Sequence, residues 1–480
     1  MDSRPDFAPA WAGAAAVALG AALWWLANDL QPAWWAAWLA PLPVLAYALR
    51  ARARSAALAT FLAFAIGGGV QWHYLHDVVR LPLTVTISAI LVPAVLMLLV
   101  VLPFRALASR GRVVAATFFA PAAATGLAWL SATASPHGTF GHIAYSQMDA
   151  LPAIQVAALL GLWGVGFVVW LLPSALAVLM CANAPAPRRA SSTGLAVATL
   201  ACALGYGALR LHDDGPTQSV RVGLVSIGAS KEAQADLAKP EGERVLARYV
   251  EEIDRLAAAG AQIVVAPESA LLVRSHAIPA LQELSTRRDV RLLIGAEDHS
   301  DASVKRNAAL VFEPGAAEPV AYAKRHLIPG FEDRYTPGDR TLLLDGTPRV
   351  GVAICKDLDF PSTGLAHGRD GSQLLLVPAW DFDEDAWLHG RMAVLRGVEG
   401  GFAMARVARS GLLTLSDDRG RVLAQASSVG SAEPATLLGE LPLRTTRTLY
   451  ARVGDAFGWL CLIAAAVTAA SLLWRRKRRR

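Results

Sequence analysis

Eight stretches of this chain are long and apolar enough to cross a bilayer, and between them they leave room for one large water-compatible block. A hydrocarbon core is crossed by about 20 apolar helical residues. Within it the backbone must satisfy its own polar groups, which a helix does inside a single segment. The stretches run over 9–28, 32–49, 55–73, 84–104, 114–132, 154–181, 191–209 and 457–474. The segment 32–49 carries Pro41 and Pro43, and 114–132 is rich in alanine, so these two are the least strongly marked. The first stretch reads as part of the set rather than as a cleaved leader. The expected organisation is a seven-helix membrane domain over 1–210, an external domain over 215–445, and an eighth helix with a basic tail over 455–480.

The loops orient this array. Arg50, Arg52 and Arg54 follow the second stretch, Arg105, Arg110 and Arg112 the fourth, and Arg188 and Arg189 the sixth. The run from Arg475 to Arg480 follows the eighth. Loops 29–31 and 133–153 hold no Lys or Arg, and 74–83 holds only Arg80. Basic residues stay cytoplasmic in short loops, so each even-numbered stretch returns to the cytoplasm and the block after the seventh lies outside. The six tail residues equal the whole formal charge of +6, so the rest of the chain is balanced. That balance, with no basic stripe, excludes a nucleic-acid surface.

Cys181, Cys202 and Cys461 fall in apolar stretches, where a free cysteine acts as a small hydrophobe. Cys355 stands by itself in the external block, so no disulfide can form within that domain. A lone thiol facing an oxidising compartment is a liability unless it has a task.

From 218 to 445 the pattern changes to short β-branched runs separated by polar helical stretches. Strands are expected at 220–228, 261–268 and 291–297, then in NAALVFEP, PVAYAKRHL, RVGVAICKD, SQLLLVPAW, FAMARVAR, GLLTLSD and RVLAQAS. Helices are expected over 240–259, 279–288 and 384–399. This alternation predicts a layered α/β domain. Three of its runs end in a chemically useful residue: IVVAPE at Glu268, PVAYAK at Lys324 and VGVAIC at Cys355. Taken singly, each has a plain structural explanation as a surface carboxylate, a solvated lysine or a buried cysteine. Together they suit covalent acyl transfer, in which a thiol attacks, a carboxylate moves the proton and an ammonium stabilises the oxyanion. Their setting among membrane spans points to a lipid or lipid-anchored substrate.

The ordered set PE268, YAK324RHLIP and GVAIC355KDLDFP resembles the nitrilase, or carbon–nitrogen hydrolase, superfamily. The runs FGHIAYSQMDALPAIQ, LIPGFEDRYTPG and WLHGRMAVLRGVEGGFAMAR are similar to its membrane-bound branch, the apolipoprotein N-acyltransferase family. The resemblance spans essentially the whole chain. It implies a polytopic α-helical membrane domain carrying an αββα sandwich, in a bacterial inner membrane, with the sandwich periplasmic and the C-terminus cytoplasmic. It implies Cys355 as nucleophile, Glu268 as general base, Lys324 as oxyanion stabiliser and Glu332 as a supporting carboxylate. It further implies a phospholipid acyl donor, a lipoprotein amine acceptor and no cofactor. Trp380 and Trp387 are candidates for the mouth where acyl chains enter, because indoles suit a membrane–water boundary. Tyr145 and Gln147, in the charge-poor loop 133–153, are further substrate-binding candidates.

The chain departs from the family's pattern at Val377-Pro378-Ala379-Trp380-Asp381-Phe382, at Ala408-Arg409-Ser410-Gly411 and at Lys356, where an aromatic residue commonly stands. These changes keep open a membrane-tethered amidase, or an acyltransferase with another amine acceptor. Lys356 is expected to point to solvent. His326 and His389 show no ligand-like spacing with a Cys, Asp or Glu cluster, so no metal site is expected.

Overall fold

The computed structural model describes residues 9–180, 184–212, 218–227, 235–431 and 433–477, with the backbone alone for 473–477. It divides into a helical unit (Met1–Ser135, Gly141–Leu211 and Val453–Arg480) and a second unit (Pro136–Phe140 and His212–Arg452).

Among the described residues of the helical unit, six helices are long and apolar enough to cross a membrane: Ala10–Ala27, Ala53–Gln71, Leu83–Ala108, Val113–Ala134, Ala157–Leu179 and Ala186–His212. The helix Ala456–Lys477 follows the second unit, with an apolar portion running to Leu472. The expected span 32–49 is not one helix. It forms two short pieces, Trp34–Ala37 and Leu42–Arg50, joined by a turn. Pro41 and Pro43 explain the break, since proline lacks an N–H donor and pushes the preceding residue out of the helical region. Cys181 lies outside the described residues. Close helix approach depends on missing side chains. A Cβ on Gly67 would lie 2.7 Å from Trp24 Cβ, and one on Gly126 would lie 2.6 Å from the Leu462 backbone. Small residues are the usual means of helix contact in lipid, where no hydrophobic force drives helices together.

The second unit is an αββα sandwich. Its first sheet contains β1 (Gln218–Ser226), β2 (Ala235–Asp236), β3 (Ile263–Val265), β4 (Leu271–Val273), β5 (Arg291–Asp301), β6 (Val304–Phe312) and β7 (Val320–Ala323). The second contains β8 (Leu342–Leu344), β9 (Val350–Val352), β10 (Leu374–Ala379), β11 (Ala403–Ala408), β12 (Leu412–Ser416) and β13 (Val422–Ser427). A last strand, β14 (Ala435–Leu443), returns to pair antiparallel with β1 along nine residues at the edge of the first sheet. Val222, Leu224, Val265 and Val311 of one sheet meet Val352, Leu376, Ala405 and Leu415 of the other in a single buried core. The outer face of the first sheet is covered by Pro240–Ala258 and Pro279–Arg288, which bury Ile253, Leu256, Leu281 and Leu284. Ala386–Gly400 packs Ala393 against Leu375, Val377 and Met404 of the second.

β1, β3 and β5 run parallel, as do β9, β10 and β11. In such sheets the carboxyl ends of strands form the natural site. Glu268 follows β3, Lys324 follows β7, Cys355 follows β9, and Trp380 and Asp381 follow β10. The topology therefore gathers these residues before any side-chain chemistry is considered.

Candidate active site

Lys324 anchors the cluster. Its side chain is wholly buried, and Nζ donates to Glu268 Oε1 at 2.7 Å and to Glu332 Oε1 and Oε2 at 3.0 and 2.9 Å. Asn307, on β6 beside β7, donates to the same two carboxylates at 2.6 and 2.7 Å. The backbone N–H of Ile328 completes Glu332 at 2.8 Å. Burial alone would drive an ammonium to lose its proton, but the two carboxylates outweigh it and hold Lys324 firmly charged. Burial likewise raises the Glu268 carboxyl, with Glu332 adding to the shift and Lys324 opposing it. Glu268 Oε2 is buried and has no hydrogen-bond partner among the described residues. A carboxylate with a raised pKa and one unengaged oxygen is suited to accept a proton and give it back.

Cys355 opens the 3₁₀ turn Cys355–Asp359 at φ 41, a left-handed conformation that a side chain rarely adopts. Ser269, beside Glu268, is left-handed too, at φ 49. Two such residues flanking one site indicate stored backbone strain, held by the surroundings. The Cys355 thiol points to the Trp380 carbonyl at 3.6 Å. Burial pushes its pKa well up, and the Glu268 charge adds to this while Lys324 opposes it. At rest the group is a thiol, so any nucleophilic role requires a base.

Asp357, two residues on, is fully buried. Its carboxylate accepts from the backbone N–H of Ile354, Arg325 and His326 at 3.0, 3.0 and 2.9 Å, and from the Tyr322 hydroxyl at 2.7 Å. It thus ties the Cys355–Asp359 turn to the chain just after Lys324. Burial favours its neutral form, but these donors together with His326 outweigh burial and hold the carboxyl below the usual range.

Two expectations, for Lys356 and His389, need correction. Lys356 does not reach solvent: it is 4% exposed, with Nζ 3.2 Å from Asp359 and 3.3 Å from His137 Nδ1. The left-handed turn at Cys355 rotates the next side chain inward. His389 does have acidic company, since Asp385 lies one helical turn earlier at 3.0 Å and Asp381 at the end of β10 lies 4.0 Å away. His326 has Asp357 at 3.2 Å and stacks on Phe360. The donor atoms of Asp381, Asp385 and His389 lie within 4.8 Å of one another, but protein cations already serve them. Arg406 grips Asp381 through both terminal guanidinium nitrogens. Burial lowers the His389 pKa, but Asp385 outweighs burial and lifts it to about 9. The group is an ion-pair network, and its charge is balanced without a metal.

Trp380 is 37% exposed, with the Arg409 guanidinium 4.4 Å from its ring centre. Trp387 is half-buried, with Arg391 at 5.4 Å. Tyr145 and Gln147 belong to the helical unit and are buried there. Gln147 accepts from Trp38 Nε1 at 2.7 Å and donates to the Trp34 carbonyl at 2.9 Å, a structural tie. Sequence reasoning missed Asn307, Asp357 and the Arg406–Asp381 pair. Arg406 carried a signal, as a charge in the middle of the apolar strand FAMARVAR.

A cysteine on a strained strand-end turn, beside a carboxylate–lysine–carboxylate cluster in an αββα sandwich, is the arrangement expected of a carbon–nitrogen hydrolase. Residues 232–453 match the carbon-nitrogen hydrolase family. Residues 20–176 match the apolipoprotein N-acyltransferase N-terminal domain, so one polypeptide is similar to both a membrane acyltransferase segment and a carbon-nitrogen hydrolase. It is 27% identical to the apolipoprotein N-acyltransferase of Geobacter metallireducens over 70% of each chain. It is 29% identical to that of Gloeobacter violaceus, over 72% of this chain and 70% of the relative. An (R)-stereoselective amidase of Pseudomonas sp. is 29% identical over 31% of this chain and 53% of its own.

Replacing Asp357 with Asn removes the charge and turns an amide N–H₂ against donors, at an expected cost of about 2–3 kcal/mol. Because the folded-state pKa is depressed, this stabilisation is present at neutral pH and lost as pH falls through that value. Thermal melts in detergent should therefore show a gap between wild type and Asp357→Asn that is wide at pH 7 and closes on acidification.

Proposed function

We propose that this protein moves an acyl chain from a phospholipid onto Cys355, then to the N-terminal amine of a diacylglyceryl-cysteine lipoprotein. The observation that carries this reading is the free Oε2 of buried Glu268, in a cluster whose ammonium is locked charged beside a protonated thiol. Glu268 takes the Sγ proton as sulfur attacks the donor's ester carbonyl. Lys324 stabilises the resulting oxyanion. Collapse breaks the ester C–O bond, and the departing alkoxide takes the proton from Glu268 as lysophospholipid. In the second half the acceptor amine attacks the thioester and gives its proton to Glu268. The C–S bond breaks, the amide forms, and the proton returns to sulfur. Glu332 and Asn307 hold Lys324 and Glu268 in place throughout. Trp380 and Trp387 offer apolar rings to the incoming acyl chain.

The alternative acceptors, another amine or water, draw support from the changed segments 377–382 and 408–411 and from the partial likeness to an amidase. Both acceptors attack the same carbonyl and differ only in how the pocket excludes water. The domain boundaries we propose are 1–210, 215–445 and 455–480, except that 136–140 groups with the second unit, and we place 215–445 in the periplasm and the C-terminus in the cytoplasm. The broken segment 32–49 bears only on the N-terminus. From Arg50 onward the basic loops alternate with long helices and leave the catalytic domain on the opposite side from Arg188 and the tail. Reporter fusions at Gly315 and Arg480 test this, and a cytoplasmic signal from Gly315 refutes it.

Intact-mass analysis of the purified protein should reveal a hydroxylamine-labile acyl adduct that is missing from Cys355→Ala. Glu268→Gln and Lys324→Ala should each slow adduct formation at least about 100-fold. The base must be ionised to act, and its pKa is raised. The wild-type acylation rate should therefore fall with decreasing pH at a midpoint above the usual carboxylate range, and the Glu268→Gln residue of activity should lose that limb. Equal adduct in wild type and Cys355→Ala would remove the cysteine from the mechanism.

The acceptor is tested by depleting the protein in its native cell and reading lipoprotein N-termini by mass spectrometry. Loss of the amide-linked third acyl chain is the expected result. Unchanged triacylated lipoproteins, in a cell with no second such enzyme, would rule the acceptor out.

A further inference from the structure

The catalytic unit takes five residues, Pro136–Phe140, from a part of the sequence well before the rest of it. This strap lies against the far end of the nucleophile turn. The Thr139 backbone N–H and Oγ1 both donate to the Asp359 carbonyl, at 2.9 and 2.7 Å, and Oγ1 accepts from Arg396 at 3.3 Å. Gly138 is left-handed at φ 54, and a Cβ there would lie 2.5 Å from the same carbonyl oxygen. His137 Nδ1 approaches Lys356 Nζ at 3.3 Å, and the Phe140 ring lies 5.4 Å from the ring of His389. Gly138 and Thr139 are buried, Thr139 to 2% exposure.

The contact serves a turn that needs holding. Cys355 begins the turn Cys355–Asp359 in a conformation that persists only when its surroundings over-determine it. Asp357 fastens the near side of that turn to the chain after Lys324. Asp359 is its last residue, and its carbonyl is the atom the strap grips twice. The strap also covers buried ion pairs, Lys356 with Asp359 and Arg396 with Glu399, which are costly to expose singly because each ion's partner would be left uncompensated. Gly138 permits the close approach, and Thr139 supplies both donors.

We propose that Gly138 and Thr139 are positioning residues for Cys355, the strap fixing the Asp359 end of the turn so that the sulfur stays aimed at the acyl carbonyl. This rests on the reading of Cys355 as nucleophile. Small displacements of an attacking atom lower rate rather than binding, so the signature is a loss of maximal rate at unchanged donor affinity.

The test uses the full-length protein in lipid–detergent micelles with Thr139→Val, Thr139→Ser and Gly138→Ala. Three quantities are read: maximal single-turnover acylation rate, half-saturating phospholipid concentration, and the rate of iodoacetamide alkylation mapped to Cys355. Thr139→Val and Gly138→Ala should lose about 10- to 100-fold in maximal rate with half-saturation unchanged, whereas Thr139→Ser, which keeps the donor, should stay close to wild type. Alkylation at Cys355 should change in the same two variants. Wild-type rates in all three variants, or a drop in thermal midpoint with the full maximal rate retained below it, overturn the proposal. If wild-type protein takes no acyl chain from phospholipid while the alkylation contrast holds, the donor assignment falls and the strap's role stands. If all variants acylate like wild type, the reverse follows.

Discussion

A lysine ammonium fully removed from water can persist only if its charge is met, and in this protein that requirement organises the catalytic sandwich. Lys324 is met by Glu268 and Glu332, and Asn307 bridges both. These four residues come from the ends of β3 and β7, from the middle of β6 and from the loop after β7. A one-residue slip in the β6–β7 register would turn Asn307 to the other face. The ammonium would then retain its proton with fewer donors fixing the carboxylates around it. Strand order, register and site chemistry are therefore coupled through one buried charge. The second sheet joins the arrangement where the Glu268 N–H donates to the Ala379 carbonyl at 3.3 Å.

The strained turns fit the same picture. Cys355 and Ser269 occupy backbone conformations that isolated peptides avoid, at a cost on the order of 1–3 kcal/mol each. Dense hydrogen bonding around Asp357 on one side and the Arg406–Asp381 pair on the other resists their relaxation. Rigidity of this kind suits a site whose groups must be held in a fixed geometry.

Much of this was legible in the sequence, and the failures have identifiable causes. The helix over 279–288 appears with the expected bounds because Pro279 starts it and Asp289, left-handed at φ 50, ends it. Runs such as SQLLLVPAW and FAMARVAR gave their strands because a strand covered on both faces reads as continuous apolar sequence. β14 was hidden because Gly439 and Pro442 interrupt its pattern, and proline is tolerated there because β14 is an edge strand. β2, β4 and β8, with two or three residues each, are too short to show any period. Glu268, Lys324 and Cys355 were visible because each ends an apolar run. Asn307 and Asp357 were not, since their importance lies in hydrogen bonds that exist only once distant segments meet. Lys356 was misread because no local rule anticipates a left-handed cysteine before it.

The discontinuity of the catalytic unit has a consequence for inheritance. A domain encoded by one uninterrupted stretch of gene can be lost, duplicated or moved between proteins by a single recombination event. Here the stretch encoding 212–452 leaves Thr139 behind, and with it both donors to the Asp359 carbonyl. A transferred segment would carry the Cys355–Asp359 turn without the residues that hydrogen-bond its last carbonyl. The room for a side chain at Gly138 is thus set by the carbonyl of a turn more than two hundred positions away.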